Sequence, residues 1–288
     1  MTDFTIKKRA SALGAEVIGL DLRQDLSDDT IRALRATWLE HLVLVFRGQD
    51  LTHEQHIAFS RRFGALETHD SIPKFRHPEH AEILLVTNFE NTGKRLIGGR
   101  QWHSDLSTTT RPAMGSLLYC QEAPPAGGDT MFANMYRAWE TLSPAFRSML
   151  EDRWAQHDMT AARETRMRRG PEELAEIRRR NPPVLQPVAR VHDETGRQAL
   201  YVAEMTTLAL EGMSEEESAP ILRFLYEHSV VPENTYRHSW QPGDLLMWDN
   251  RCAIHIALAD YGESERRVMY RTTLLGAPSG RLMDMEAA

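Results

Sequence analysis

Cysteine is nearly missing from this chain, with only Cys120 and Cys252 among 288 residues. Two are too few for a disulfide scaffold, and with no C-x-x-C spacing they suggest neither a zinc ribbon nor a thiol redox centre. A reducing cytoplasm is the expected compartment. Long apolar runs are missing as well: none approaches the 18 or so residues of a membrane span, and the stretch from Met1 to Gly19 is broken by Lys7, Lys8 and Arg9. Neither a membrane association nor a signal peptide is therefore expected. Positive charge is in deficit, with 34 Lys+Arg against 41 Asp+Glu and a formal charge of −7, which argues against a nucleic-acid partner held by counterion release. Internal repeats and low-complexity stretches are absent. What remains, 41% hydrophobic and 26% charged, is a globular chain with enough apolar residues for a sizeable core.

Local signals divide the chain. Ser27 followed by Asp28 and Asp29, with apolar residues at Ile31, Leu34 and Trp38, predicts a capped helix ending near Glu40. The run 41–46 predicts a buried strand, and the capping box Thr52-x-x-Gln55 a second helix that stops at Gly64. Beyond residue 110 short apolar runs dominate, at 115–120, 187–191, 199–202, 244–248 and 267–275. Helices starting at Ser143-Pro144 and at the box Ser214-x-x-Glu217 interrupt them. Glu194-Thr-Gly-Arg197 reads as a hairpin turn. Seven arginines between 163 and 180 mark a charged insertion, around 160–183, that is either a solvated helix or a lid attracting anions. The expected architecture is a single α+β domain over residues 1–288, with many short strands forming a barrel or jelly-roll core braced by flanking helices.

The sharpest chemical feature is Gln101-Trp-His-Ser-Asp105. On a strand, His103 and Asp105 would point to one face and could share a metal ion. The rival H-x-E pairs lie in a polar segment (His77/Glu79 and His80/Glu82) or run into the hairpin turn (His192/Glu194). A third ligand has to come from elsewhere. His255, in the apolar run 252–257, competes with His238 and His228. Two imidazoles and one carboxylate with open positions make the facial arrangement of non-haem Fe(II) oxygenases. In the run 265–271, period two places Arg267 and Arg271 on one face and Arg266 on the other. Two arginines facing a barrel interior are costly unless anions meet them.

Together these residues resemble a known family. Trp102-His-Ser-Asp105, Gly127-Gly-Asp-Thr130, Trp248-Asp-Asn-Arg251 with His255 four residues on, and Arg266-Arg-x-Met-x-Arg271 are similar to the motifs of the taurine/2,4-dichlorophenoxyacetate dioxygenases, which depend on Fe(II) and 2-oxoglutarate. The likeness extends to the segments 44–49 and 55–60 near the start. It implies a double-stranded β-helix (a cupin-like jelly roll) with His103, Asp105 and His255 as iron ligands. It implies Arg267, assisted by Thr130, on the distal carboxylate of 2-oxoglutarate, and His69 and Arg271 beside the primary substrate. The implied reaction hydroxylates a C–H bond while 2-oxoglutarate and O2 yield succinate and CO2. Two positions depart from the pattern of the taurine enzymes: Gly99 stands where they carry asparagine, and Ala162 where they carry serine. The expected substrate is thus a small organic anion, with an aryloxyalkanoate-like carboxylate favoured over taurine or another alkanesulfonate. A zinc hydrolase on the same three ligands and a binding protein with a structural metal are the readings from other classes. Oligomeric state is left open, a homo-oligomer included.

Overall fold

The structure, a computed structural model, describes residues 3–70, 72–89 and 99–283. Both early caps form as their spacing predicts. The Ser27 hydroxyl accepts the Thr30 N–H and starts the helix Asp28–His41, and the reciprocal Thr52/Gln55 box starts the helix His53–Arg61. His41, expected to open the following strand, instead closes the first helix. The chain turns at Leu42, in left-handed backbone with φ 63°, and the strand occupies Val43–Phe46. The Ser143 and Ser214 caps start the helices Pro144–Leu150 and Glu215–Ser229.

Seven strands make the larger sheet, in the spatial order Thr5–Lys8, Ala15–Ile18, Val43–Phe46, Leu245–Asp249, Ala113–Glu122, Val268–Leu275 and Leu84–Thr87. All neighbours are antiparallel except Ala15–Ile18 with Val43–Phe46. A three-stranded sheet pairs Thr130–Asn134 with Thr235–His238 on one side and Ala253–Ala257 on the other. The described residues also form sheets of four and two strands.

Strand alternation explains the two cores. Val43, Val45, Leu118, Cys120, Leu246, Trp248 and Met269 point to one face of the larger sheet and pack with Phe132, Ala133 and Ile254 of the three-stranded sheet. Their neighbours Leu44, Phe46, Leu117, Tyr119, Leu245 and Met247 point to the other face, against Leu34 and Trp38 of the first helix and Phe59 of the second. With both faces covered, these strands read as continuous apolar runs. The architecture is α+β with a cupin-like β-sandwich core.

The run expected as one strand over 187–191 splits. Val184–Pro187 joins the four-stranded sheet and Ala189–Val191 pairs with Gln198–Leu200. Between them Val188 donates to the Arg153 carbonyl and accepts from Tyr201 N–H, so the chain crosses from one sheet to the other. The hairpin at 194–197 forms, with Gly196 at φ 69°. Residues 163–180 form two helices, Arg163–Arg168 and Pro171–Arg180, with the side chains of Glu164 and Arg168 outside the described residues. Arg166 pairs with Glu215, Arg178 with Asp158, and Arg179 and Arg180 with Glu176, so these four guanidinium groups already have carboxylate partners. Among the described residues no helix is long and apolar enough to cross a membrane.

Candidate metal and anion site

His103 and Asp105 come together with His255, but not on a regular strand. His103 makes an isolated two-way bridge to His255, donating N–H to its carbonyl at 3.0 Å and accepting its N–H at 2.8 Å, and Asp105 lies in the turn that follows. The next residue, Leu106, takes left-handed backbone at φ 56°, an uncommon conformation for a branched side chain. The turn thus aims Asp105 at the imidazoles, a job that the strand period was expected to do. One donor atom from each of the three residues lies within 4.8 Å of the others, and all three residues are buried.

The rival histidines are occupied elsewhere. His228 meets Thr141 and the Ala138 carbonyl, while His238 sits between the Tyr236 hydroxyl and Asp244. His77 and His80 lie against His53 outside the site, in tilted contacts with centroids 4.5 and 5.2 Å away, and His53 and His77 meet Tyr270 edge-on. A second close group, His192, Asp249 and Cys252, is structural: both oxygens of Asp249 are taken by Arg251, and one also by His192.

The electrostatics suit a cation bound by lone pairs. Burial holds the His103 and His255 imidazoles below their ordinary pKa and therefore neutral. Burial alone would raise the Asp105 carboxyl, but the Arg271 guanidinium, with a hydrogen bond from the Ser116 hydroxyl, outweighs it and holds the group well below the usual carboxylate range. His103 Nδ1 lies 2.8 Å from the Gln101 carbonyl, so this nitrogen carries the proton and Nε2 keeps its lone pair.

Both arginines expected on one strand face reach the same cavity of about 240 Å³, which is also lined by Thr130, His103, His255, Trp248, Ile72 and Phe75. Arg267 donates Nε–H to the Gly128 carbonyl at 2.9 Å and approaches Thr130 Oγ1 at 3.3 Å. It is 6% exposed and, among the described residues, has no carboxylate partner. Burial depresses its pKa, the sign of a charge whose solvation has not been replaced. Arg271 pairs with Asp105 at 2.5 Å, and its Nε has no hydrogen-bond partner among the described residues. Arg266 points the other way, into an exposed pair with Glu122. His69 is buried in left-handed backbone at φ 55°, with Nε2 unpartnered among the described residues. Its pKa is lowered to about 4, chiefly by burial and then by Arg271. Across Gly99 and His103 a second cavity of about 390 Å³ opens beside Leu106, Met159, Ala162, Thr165 and Met205.

Comparison with known proteins agrees with this geometry. Residues 5–273 match the family described as taurine catabolism dioxygenase TauD, TfdA family. The chain belongs to that family. The 2,4-dichlorophenoxyacetate dioxygenase of Cupriavidus pinatubonensis is 36% identical over 274 residues, covering 91% of this chain and 94% of the relative. The (S)-phenoxypropionate dioxygenase of Sphingobium herbicidovorans is 32% identical over 282 residues, covering 96% of each. A crystal structure of AAD-2 in complex with Mn(II) and N-oxalylglycine superposes with a TM-score of 0.82 at 33% identity, covering 97% of this chain and all of the other.

A TauD/TfdA protein is an Fe(II)- and 2-oxoglutarate-dependent dioxygenase, and the residues present fit such a metal: two neutral imidazoles and an ionised carboxylate converge, and the cavity that the imidazoles line also holds a buried guanidinium with no carboxylate partner among the described residues. Several neighbours gave little or no signal in the sequence. Asn88 fixes the Arg267 backbone, accepting its N–H at 2.8 Å, and Trp240 Nε1–H donates to Thr130 Oγ1 at 3.0 Å. Ser116 donates to Asp105 Oδ2 at 2.7 Å. Only Trp240, alternating with Tyr236 and His238, offered a pattern to read.

Proposed function

We propose that this dioxygenase hydroxylates a small organic anion, of which an aryloxyalkanoate-like carboxylate suits the cavity best. The observation that carries the reading is the pair Arg267 and Arg271 in one cavity with His103 and His255, whose donor atoms converge with that of Asp105. In this reading those three donors hold Fe(II), which when bound lets dioxygen and 2-oxoglutarate oxidise a C–H bond with release of succinate and CO2. Arg267, fixed by Gly128 and Thr130, turns its remaining N–H groups to the distal carboxylate of 2-oxoglutarate in the bidentate manner of guanidinium. Arg271 gives the substrate carboxylate its anchor, and His69, neutral near pH 7, lies close by with an Nε2 that has no partner among the described residues.

The body of the substrate is read from the walls of the second cavity, which shares Gly99 and His103 with the arginine cavity. Gly99 and Ala162 offer no side-chain hydrogen bond to an amine, whereas Met159, Met205 and Leu106 offer apolar contact to a ring. Hydroxylation beside an ether oxygen gives a hemiacetal-type product that breaks down, releasing a phenol. The test is competitive turnover of 2,4-dichlorophenoxyacetate, a longer alkanesulfonate and taurine with Fe(II), O2 and 2-oxoglutarate, reading kcat/KM from succinate and phenol or sulfite. The aryloxyalkanoate is expected to lead. Taurine leading by tenfold or more would defeat the cavity argument, and loss of all turnover on replacing Zn(II) by Fe(II) would point to hydrolysis.

A further inference from the structure

We infer that Asn250, acting through Ser116, is a positioning residue that holds the Asp105 carboxylate in its metal-binding orientation. The inference rests on the reading of Asp105 as a ligand. Asn250 is completely buried and directly follows the strand Leu245–Asp249. Its Oδ1 accepts the Trp248 indole N–H at 3.0 Å and the Asp105 backbone N–H at 3.2 Å, and its Nδ2 donates to Ser116 Oγ at 2.9 Å. Its backbone carbonyl accepts from Ser104 Oγ at 2.7 Å. The amide therefore grips the metal-binding turn at both its main chain and, through Ser116, its carboxylate.

The orientation of the chain of hydrogen bonds follows from donor chemistry. A flipped amide would set its NH2 against two groups that can only donate, the indole and the Asp105 amide, so Nδ2 must face Ser116. Ser116 Oγ has one proton. Since Nδ2 can only donate to it, that proton is committed to Asp105 Oδ2, 2.7 Å away. Among the described residues the other carboxylate oxygen meets only Arg271, the group that the proposed function gives to the substrate. Once Arg271 turns to a substrate anion, Ser116 and Asn250 are the remaining support from side chains, so they set how well the carboxylate stays in register with His103 and His255.

The test is Mn(II) binding to the full-length apoprotein, followed by electron paramagnetic resonance, with the melting temperature measured alongside. Ser116→Ala and Asn250→Asp are expected to weaken Mn(II) binding by about 10- to 100-fold, the usual effect of losing a partner of a metal ligand. Asn250→Asp keeps the shape and removes the donor, so Ser116 gives its proton to residue 250 instead of Asp105. Ser116→Thr retains the hydroxyl and restores binding. If Asn250→Asp fails to fold, the Ser116 pair decides. Parental Mn(II) affinity in Ser116→Ala, with binding lost in Asp105→Ala, overturns the positioning role alone. Parental affinity in Asp105→Ala removes the ligand reading and this inference with it.

Discussion

At the scale of single residues, the informative contrast is between Arg266 and Arg267. They are adjacent, yet one is paired with Glu122 in solvent and the other is buried with no ion pair to an acid among the described residues. Arg267→Ala should raise the KM for 2-oxoglutarate about 30-fold or more, the effect of losing a buried charge-assisted contact of 2–5 kcal/mol. Arg266→Ala should change it by less than about threefold, since an exposed ion pair is worth at most about 1 kcal/mol. Equal effects in steady-state kinetics would defeat the assignment. Asp105→Ala should abolish stoichiometric metal binding, while His238→Ala, which breaks the contacts to Tyr236 and Asp244, should lower stability and leave metal content at one per chain. Elemental analysis of anaerobically purified protein separates the two. The pairing of Arg267 with Arg271 was legible from strand period alone. The gripping of Asp105 by Ser116 was not, because the two are brought together by a turn whose shape depends on Asn250, 145 residues further on.

At the scale of elements, the segment 158–180 shows how a charged insertion is tied to the cavity. Ala162 and Thr165 line the larger cavity, the Arg163 N–H donates to Gln101 Oε1, and Arg178 pairs with the buried Asp158. Arg178→Ala leaves that carboxylate without its cation. We expect a cost of about 1–2 kcal/mol, discounted because Arg178 is partly exposed, with faster hydrogen exchange confined to 158–180 and a raised KM for the organic substrate. An unchanged exchange pattern would show that the ion pair is not what holds the segment. Caps, by contrast, act within three residues. Ser214→Ala removes the acceptor for the Glu217 N–H and should cost about 1 kcal/mol by chemical denaturation, without touching KM. Such signals are local, which is why the starts of the main helices were readable in advance. The split of 187–191 between two sheets was not, because it answers to Arg153 and Tyr201.

At the scale of the whole molecule, buried neutral imidazoles tie stability to pH. Burial lowers His56 and His157 to about 3, and His69 to about 4. The unfolded chain takes up these protons near pH 6.5, whereas the folded one refuses them until far lower pH. Their contribution is therefore complete above about pH 6.5 and is lost progressively as the pH falls towards the folded values, at about 1.4 kcal/mol per unit for each group. The melting temperature should be flat near neutrality and fall steadily below about pH 6.5, and a constant value from pH 7 to 5 would contradict this. By itself the sequence determined the capped helices, the strand faces that put Arg267 beside Arg271, and the His103-x-Asp105 pair, all set by contacts or periods spanning a few residues. The residue pattern left His255, His238 and His228 open as the third member, and although the family resemblance implied His255, it is the tertiary structure that brings that residue to the pair. His255 wins over His228 and His238 because antiparallel pairing brings its backbone to His103, 152 positions away, and such registers are set by the packing of whole sheets rather than by any local preference.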